Sequence, residues 1–395
     1  MNLTLSDRVN RIKPSATLAV TAKAIALKAQ GKNILTLSVG EPDFDTPEHI
    51  KQAAIGALTR GFTKYTQTLG TVELRQAIAN KLARENKLSY DPKQIIVSCG
   101  AKQSIFNITQ ILLQKGDEVL IPTPAWPSYR EIVLLTGAEP ILIITSPDNR
   151  FKLTPEALEA AITPRTRLIM LNSPSNPTGV AYSKSELARL GEVLLRHPKV
   201  MIMTDDIYEK ILWTSEPFAN ILNACPDLYD RTIIVNGVSK AYSMTGWRIG
   251  YAAATQPLVT AMEKVQSQCT SGANSIAQVA AQAAIEGSQQ CVLDMVTEFK
   301  KRHDFAYQTL KTIPGIKCQP ADGAFYLFIG IEEALKRLPE IHDDIQFSEY
   351  LLQEAGVAVI PGSSFDQPGY IRISIAVSQQ ILAQALEKIR LVLQQ

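Results

Sequence analysis

The sequence has few cysteines, and their spacing suggests neither a metal site nor a disulfide framework. None forms a CxxC motif or a Cys/His pair with metal-ligand spacing, and their number is odd. The five are Cys99, Cys225, Cys269, Cys291 and Cys318. We therefore expect reduced, structural thiols and no bound metal.

The sequence also lacks an excess of charge and a long apolar run. Lys and Arg number 40 against 38 Asp and Glu, so the net charge of +2 creates no long-range field for nucleic acid or for an anionic membrane. The N-terminus has no apolar stretch of signal-peptide length, and no run approaches the length that spans a bilayer. We expect no nucleic-acid partner, no membrane insertion and a cytoplasmic location.

The remaining composition is that of a globular protein, with 46% hydrophobic residues, 20% charged residues, and 21 Gly and 22 Pro spread along the chain. At roughly 100–200 residues per domain, the 395 residues predict two or three structural units.

Between residues 90 and 260, short β-branched runs alternate with longer amphipathic stretches, which predicts βα units around a largely parallel sheet. Helices are expected between the strands, and two of them begin after the N-cap residues Thr154 and Ser183. The predicted strands are residues 94–99, 118–121, 139–144, 166–172, 200–205, 232–236 and 248–254. The predicted helices include residues 104–113, 154–162 and 183–196.

A helical region at residues 276–312 is followed by a different pattern, which predicts a smaller α+β domain. Its expected elements are strands at 324–329, 357–360 and 369–376, a helix at 347–355 and a closing helix. We assign residues 1–45 to an N-terminal arm with part of the small domain, 46–290 to the large domain and 291–395 to the small domain. A cleft between two domains is the natural place for a site.

The segment at residues 236–250 is the most informative in the chain. It places Lys240 in a turn of apolar and small residues after a strand, with Arg248 eight residues later. A lysine shielded from water favours its neutral amine, the nucleophilic form that a Schiff base requires. Arg248 could bind a phosphate with its planar fork of donors. An isolated Ser-Lys pair, however, is usually a solvated loop lysine.

The string VSKAYSMTGWRIG (238–250) resembles that of class I aminotransferases of pyridoxal-phosphate fold type I, within the group of bacterial aspartate and bifunctional aspartate/prephenate enzymes. The resemblance extends from KPSAT (13–17) to YIRIS (370–374). Between them lie SVGEPDFDTP (38–47), YTQTLG (65–70), GAKQ (100–103), PAWPSY (124–129), NSPSNPTG (172–179) and DDIYE (205–209). It implies an α/β fold: a large domain with a seven-stranded, mostly parallel sheet, and a smaller α+β domain.

The resemblance implies that pyridoxal 5'-phosphate is held by Lys240 as a Schiff base, and that Asp205 faces its pyridine nitrogen. It also implies that Tyr208 donates to the phenolic oxygen, that Asn176 bonds this oxygen and the substrate carboxylate, and that Trp126 stacks on the ring. Taken alone, these residues would be a turn aspartate, a core tyrosine, a turn asparagine and a buried tryptophan.

A phosphate site is expected where strand 94–99 ends and a helix begins, because the N–H groups of a helix N-terminus bind anions. The residues there are Gly100, Ala101 and Lys102. The resemblance adds Ser239 and Arg248, and it implies that Tyr65 reaches the phosphate of a second subunit, so a homodimer is expected. Many relatives have serine at the position of Gly237, so this chain lacks one hydroxyl.

Amino-acid and 2-oxo-acid substrates follow from the same resemblance. Arg372 is expected to bind the α-carboxylate, next to Gly40, Trp126 and Asn176. The distal carboxylate of a dicarboxylic substrate is assigned to Lys102, Ser15 and Thr17; otherwise Lys102 is a solvated residue of a first helical turn.

The implied reaction is a ping-pong transamination in which the Lys240 amine also carries the α-proton. L-Aspartate with 2-oxoglutarate is the first choice of substrates, and prephenate, which gives arogenate, is the second. Another fold-type-I reaction, such as β-elimination or cyclopropane-carboxylate synthesis, would use the same cofactor residues. A non-catalytic regulatory protein that binds the cofactor is the remaining class.

Overall fold

The computed structural model describes residues 4–14 and 16–394, except for the side chains of residues 16–18. The strands are β1 (Leu35–Thr36), β2 (Ile95–Ser98), β3 (Glu118–Thr123), β4 (Glu139–Ile144), β5 (Thr166–Asn172), β6 (Met201–Asp205), β7 (Thr232–Gly237), β8 (Gly250–Ala253), β9 (Lys317–Cys318), β10 (Tyr326–Gly330), β11 (Val357–Ala358), β12 (Ile360–Pro361) and β13 (Tyr370–Ser374). The α-helices are α1 (Asp7–Arg11), α2 (Ala16–Ala29), α3 (Glu48–Thr59), α4 (Val72–Lys81), α5 (Ala101–Leu112), α6 (Pro127–Thr136), α7 (Pro155–Ala161), α8 (Lys184–Arg196), α9 (Ile221–Ala224), α10 (Gln256–Ser267), α11 (Ser275–Glu286), α12 (Gln290–Leu310), α13 (Glu332–Leu335), α14 (Asp344–Tyr350) and α15 (Gln379–Gln394). Short 3₁₀ and π turns lie at Leu82–Asn86, Pro92–Gln94, Pro147–Asn149, Pro226–Arg231, Thr245–Trp247, Leu351–Ala355 and Gly362–Phe365.

The seven strands predicted between residues 90 and 260 form one sheet in the order β2-β8-β7-β6-β5-β3-β4. Every pair is parallel except those of β8, which runs antiparallel to β2 and β7. Helices cover both faces, so the central strands are continuous apolar runs rather than alternating ones. The predicted large, mostly parallel sheet is confirmed.

Two predicted N-caps begin their helices as expected. The Thr154 side chain accepts a hydrogen bond from the N–H of Ala157 at the start of α7. Ser183 forms a capping box with Glu186 at the start of α8, which satisfies two backbone donors that the first turn leaves free.

The helical region predicted at residues 276–312 is two helices, α11 and α12, because the chain breaks at Gly287. A Cβ on this glycine would lie 2.6 Å from the carbonyl oxygen of Ala283 and 2.9 Å from the ring of His49. Any residue with a side chain would therefore clash at this close turn.

The C-terminal part of the chain forms a second layer of structure with its own core. Its antiparallel sheet has the order β12-β13-β10-β9, and β1 pairs with β11. The apolar cluster behind it contains Phe299, Phe325 and Phe347, and it takes Leu37 from the N-terminal part. The boundaries at residues 45 and 290 stay a prediction.

The strand ends determine where polar groups collect. Asn172 ends β5 and stands beside Asp205, which ends β6, while β7 ends at Gly237 three residues before Lys240. The carboxyl ends of parallel strands share one edge of a sheet, and ligands of open α/β folds bind outside that edge. Among the described residues, no helix could cross a membrane and no His, Cys, Asp and Glu side chains cluster as metal ligands.

Candidate active site

A cavity of about 340 Å³ lies at the carboxyl edge of the large sheet, and Tyr326 and Arg372 of the C-terminal sheet contribute to its lining. Its lining includes eleven of the predicted site residues, which come from widely separated parts of the chain. They are Gly40, Ala101, Lys102, Trp126, Asn176, Asp205, Tyr208, Ser239, Lys240, Arg248 and Arg372.

Lys240 lies in the turn after β7, and its amine enters the cavity. The Nζ atom donates a hydrogen bond to the carbonyl oxygen of Gly40 at 2.6 Å. Burial lowers the pKa of Lys240 to about 8; the carboxylate of Glu41 opposes this shift, and the Arg372 guanidinium reinforces it. The lowered pKa makes the neutral amine more available at neutral pH than it is for an exposed lysine. The amine is therefore a usable nucleophile and base.

Close backbone packing at the turn that carries Lys240 leaves no room for a side chain at Gly237. A Cβ there would lie 2.9 Å from the carbonyl oxygen of Ile249 and 3.0 Å from the Cα of Gly250. β8 thus packs directly against this turn. A serine at this position would require the backbone of β8 to move.

Asp205 is buried at the floor of the cavity. Its Oδ2 accepts a hydrogen bond from the hydroxyl of Tyr129 at 2.7 Å, and its Oδ1 accepts one from the N–H of Ile207 at 3.3 Å. Burial raises the pKa of Asp205 to about 6, and the bond from Tyr129 acts in the opposite direction. A cationic group facing this carboxylate would offset the cost of its burial.

Arg372 projects from β13 into the opposite wall and is 2% exposed. It donates to the amide oxygen of Asn176 at 2.9 Å and to the carbonyl oxygen of Ser38 at 2.7 Å. Its Nε has no partner in the part of the chain that the structure describes, and its two hydrogen-bond acceptors there are an amide oxygen and a backbone carbonyl rather than a carboxylate. An arginine remains charged when buried, so the chemistry of this wall suits a carboxylate or another anion.

The first turn of α5 and Arg248 form the third wall. Gly100 precedes the helix with a φ of 83°, and a Cβ there would lie 2.3 Å from Nη2 of Arg248. The guanidinium donates to the carbonyl oxygens of Thr245 and Cys99 at 2.9 and 3.3 Å. A guanidinium beside the free N–H groups of a helix N-terminus suits an anion such as phosphate.

Trp126 and Lys102 lie at the mouth of the cavity. The Nζ atom of Lys102 is 4.6 Å from the centroid of the Trp126 ring, within cation–π distance. Desolvation, followed by the charge of Arg248, lowers the pKa of Lys102. The indole meets the ring of Tyr129 edge to face, with 5.4 Å between centroids.

Four predicted residues are not among the described residues that line the cavity. Tyr65 is 99% exposed and is not among the residues that line the cavity of this chain. Ser15 lies outside the described residues, and so does the side chain of Thr17. Gly100 immediately precedes Ala101 in the chain. It does not line the cavity, but it lies against the guanidinium of Arg248, which does.

The structure also adds residues that the sequence did not single out. Tyr129 belongs to the PAWPSY motif, yet its hydroxyl contact with Asp205 requires α6 and β6 to be placed in space. Tyr326 lies in an apolar strand and looks like a core residue in the sequence, but its hydroxyl is 2.9 Å from that of Tyr208. Burial raises the pKa of both phenols.

Comparisons with known proteins identify one family. The model of the family described as aminotransferase class I and II matches residues 32–389. The aspartate/prephenate aminotransferase of Nitrosomonas europaea is 53% identical over 390 residues, which cover 98% of this chain and 98% of that protein. The aspartate aminotransferase of Rhizobium meliloti is 48% identical over 388 residues, 97% of this chain and 95% of that protein.

Solved structures agree with this result. The crystal structure of the aspartate aminotransferase from Rhizobium meliloti has a TM-score of 0.95 and 45% identity, and the match covers 100% of this chain and 99% of that one. The aspartate aminotransferase from Thermus thermophilus with maleate has a TM-score of 0.92 and 41% identity, with 99% of this chain and 100% of that one covered.

Proposed function

We propose, on the premise that this chain belongs to the aminotransferase class I and II family, that it transfers the amino group of L-aspartate to 2-oxoglutarate by ping-pong chemistry with pyridoxal 5'-phosphate. Oxaloacetate and L-glutamate are the products. The observation that carries the proposal is the Lys240 amine in a cavity that also holds the buried carboxylate of Asp205 and the buried guanidinium of Arg372, which has no carboxylate partner among the described residues.

The residues of the cavity fit this cofactor. Arg248 and the first turn of α5 offer donors for a phosphate, and Trp126 offers an aromatic face for a flat ring. Asp205 offers a carboxylate for a protonated ring nitrogen, and its burial makes such a cation favourable there. When bound, the cofactor supplies an electron-withdrawing ring that stabilises negative charge at the α-carbon of the amino acid.

The side chains of this protein then supply binding and proton transfer. Arg372 binds the α-carboxylate of the substrate, because its fork of donors matches a carboxylate and its Nε has no partner among the described residues. The Lys240 amine would take the proton from the substrate α-carbon and give it to the carbonyl carbon of the cofactor rather than back to the α-carbon. Asp205 would pair with the protonated ring nitrogen, and Tyr208 and Asn176 would donate hydrogen bonds to the phenolic oxygen of the cofactor.

A dicarboxylic substrate is supported by the cation at the mouth of the cavity. In the described part of the chain, Lys102 contacts the Trp126 ring rather than a carboxylate, and partial desolvation lowers its pKa. A distal carboxylate of the substrate beside Lys102 would favour the charged form of its amine. The Thermus thermophilus relative was solved with maleate, which carries two carboxylates.

Prephenate is the second candidate acceptor. The Nitrosomonas europaea relative, 53% identical over nearly the full length of both chains, is named an aspartate/prephenate aminotransferase. Arogenate would be the product. The same Arg372 and Lys240 would serve this reaction, so the two candidates differ only in how the mouth of the cavity recognises the acceptor.

A homodimer is proposed from the surface around Tyr65. This side chain is 99% exposed, and the exposed apolar side chains Ile55, Leu58 and Phe62 precede it in the same region of the chain. Exposed apolar side chains grouped together are typical of protein–protein contacts. In a second copy, Tyr65 would extend towards the phosphate end of the neighbouring cavity. A cytoplasmic location stays a prediction.

The experiment that tests the substrate proposal compares donors in wild type and Lys102→Ser, with 2-oxoglutarate as acceptor and with prephenate in a parallel series. We expect kcat/KM for aspartate to fall by about 10- to 100-fold, because a charged hydrogen bond contributes about 1.5–3 kcal/mol. The value for alanine should change little. The control is Lys115→Ser, an exposed lysine outside the cavity.

Two outcomes would contradict the proposal. Equal losses for aspartate and alanine would remove Lys102 from substrate recognition. Release of ammonia from the donor without formation of glutamate would replace transamination by an elimination reaction on the same cofactor residues.

A further inference from the structure

Tyr326 is a buried residue of β10 whose side chain reaches the inner wall of the cavity. Its hydroxyl oxygen is 2.9 Å from that of Tyr208. A Cβ placed on Gly40 would lie 3.1 Å from the same hydroxyl, so Gly40 and Tyr208 confine it from two sides. The face of its ring lies beneath Arg372, whose guanidinium carbon is 4.3 Å from the ring centroid. One side chain thus contacts two predicted ligand-binding groups.

We propose that Tyr326 is a positioning residue of this active site: its hydroxyl donates to the oxygen of Tyr208, which directs the Tyr208 proton into the cavity, and its ring supports the Arg372 guanidinium. The inference rests on the proposed function, because it concerns the cofactor that Tyr208 would contact and the substrate carboxylate that Arg372 would bind. It assigns two separable effects to one residue.

The hydroxyl effect follows from counting protons. The geometry of the contact allows either phenol to be the donor, and each phenol has one proton. When Tyr208 donates to an anionic oxygen in the cavity, its proton is used, so the 2.9 Å contact exists only if Tyr326 donates. A phenol that accepts a hydrogen bond is a stronger donor itself, because bonds in a chain polarise one another. Tyr326 therefore strengthens the bond that Tyr208 makes.

The ring effect is independent of the hydroxyl. A buried guanidinium over an aromatic face is attracted by the ring quadrupole, and this attraction is largest where water is excluded. Phe365 also contacts the guanidinium, at 5.1 Å, but Tyr326 is nearer. Phenylalanine at position 326 preserves the aromatic face and removes only the hydroxyl. Leucine removes both.

The test follows the visible absorbance of pyridoxal phosphate bound to the whole protein as a function of pH. Tyr208→Phe should shift the midpoint of this titration, since Tyr208 contacts the chromophore directly. Tyr326→Phe should shift it in the same direction by a smaller amount, and the double variant should match Tyr208→Phe alone. A residue with a merely structural role would not move this midpoint.

Steady-state kinetics test the ring. KM for aspartate should stay within about threefold of wild type in Tyr326→Phe, and it should rise roughly tenfold in Tyr326→Leu. Tyr370→Phe is the matched control, because Tyr370 lies on β13 and is absent from the cavity lining. Thermal unfolding of each variant shows whether it folds, and the Phe variant alone is sufficient to decide the hydroxyl effect.

A wild-type midpoint in Tyr326→Phe, or shifts of the two single variants that add in the double variant, would overturn the inference. Its failure differs from that of the proposed function. If wild-type protein develops no visible absorbance with pyridoxal phosphate, the proposed function fails; if wild type titrates normally and Tyr326→Phe is identical to it, only the role of Tyr326 fails.

Discussion

Gly250→Ala tests the close contact between β8 and the first turn of α5. A Cβ on Gly250 would lie 2.1 Å from the backbone nitrogen of Ala101 and 2.4 Å from the carbonyl carbon of Gly100. Ordinary contact begins near 3.4 Å, so the strand or the helix must move by more than an ångström. Both neighbours are backbone atoms, and neither can rotate away as a side chain could.

The expected loss has two parts. Overpacking a filled site costs about 1–3 kcal/mol in free energy of unfolding. The same movement displaces the N–H groups of the α5 first turn, which we propose to bind the phosphate. A hydrogen bond to a charged group contributes about 1.5–3 kcal/mol, so loss of one such bond should raise the Kd for pyridoxal phosphate by about 10- to 100-fold.

The assay is titration of the apoprotein with pyridoxal phosphate, followed by absorbance, together with a thermal unfolding curve. Gly246→Ala is the matched control, because Gly246 lies in the same segment and a Cβ there meets no atom within 4 Å. The control should bind as wild type does. A folded Gly250→Ala protein with the wild-type Kd would refute the assignment of this helix terminus to the phosphate.

Three further outcomes are expected. Arg372→Lys keeps the charge but loses the planar fork of donors, so kcat/KM for aspartate should fall by about 10- to 100-fold. The Kd of pyridoxal phosphate should change little. An unchanged kcat/KM would contradict the proposal that Arg372 binds the substrate carboxylate. Trp126→Leu should raise that Kd by about 2- to 10-fold through loss of stacking, measured by the same titration. Burial raises the pKa of Asp206 from 3.8 to about 7 in the folded protein. Between these two pH values, the folded state therefore binds a proton that the unfolded state lacks. As the pH falls from about 7 to about 4, the free energy of unfolding of the wild-type apoprotein should rise relative to that of Asp206→Asn. A constant difference between the two proteins would contradict this.

The large sheet could be predicted from the sequence because its strands are buried on both faces. Residues 168–171 of β5, for example, are four consecutive apolar and buried residues, and the caps at Thr154 and Ser183 bind backbone donors within their own helix. Such signals are local. The break between α11 and α12 could not be predicted in this way. Gly287 is required there partly because a side chain would clash with His49, which is distant in the sequence.

The candidate site was predictable where a motif places a side chain at a strand end, as for Asp205 and Lys240. Contacts between elements were not predictable. Tyr326 lies in an apolar strand in which every residue is buried, so no pattern indicates that its hydroxyl meets Tyr208. The role of Tyr65 depends on a second chain, which one sequence cannot place.

The central claim is that the amine of Lys240 holds the cofactor. The direct measurement is to load the protein with pyridoxal phosphate, reduce it with borohydride so that the cofactor stays covalently on the amine that holds it, and map the labelled peptide by mass spectrometry. Lys102 offers a second amine in the same cavity. We predict the label on the peptide that contains Lys240 and none in Lys240→Ala; a label on Lys102, or on no lysine of this cavity, would contradict the claim.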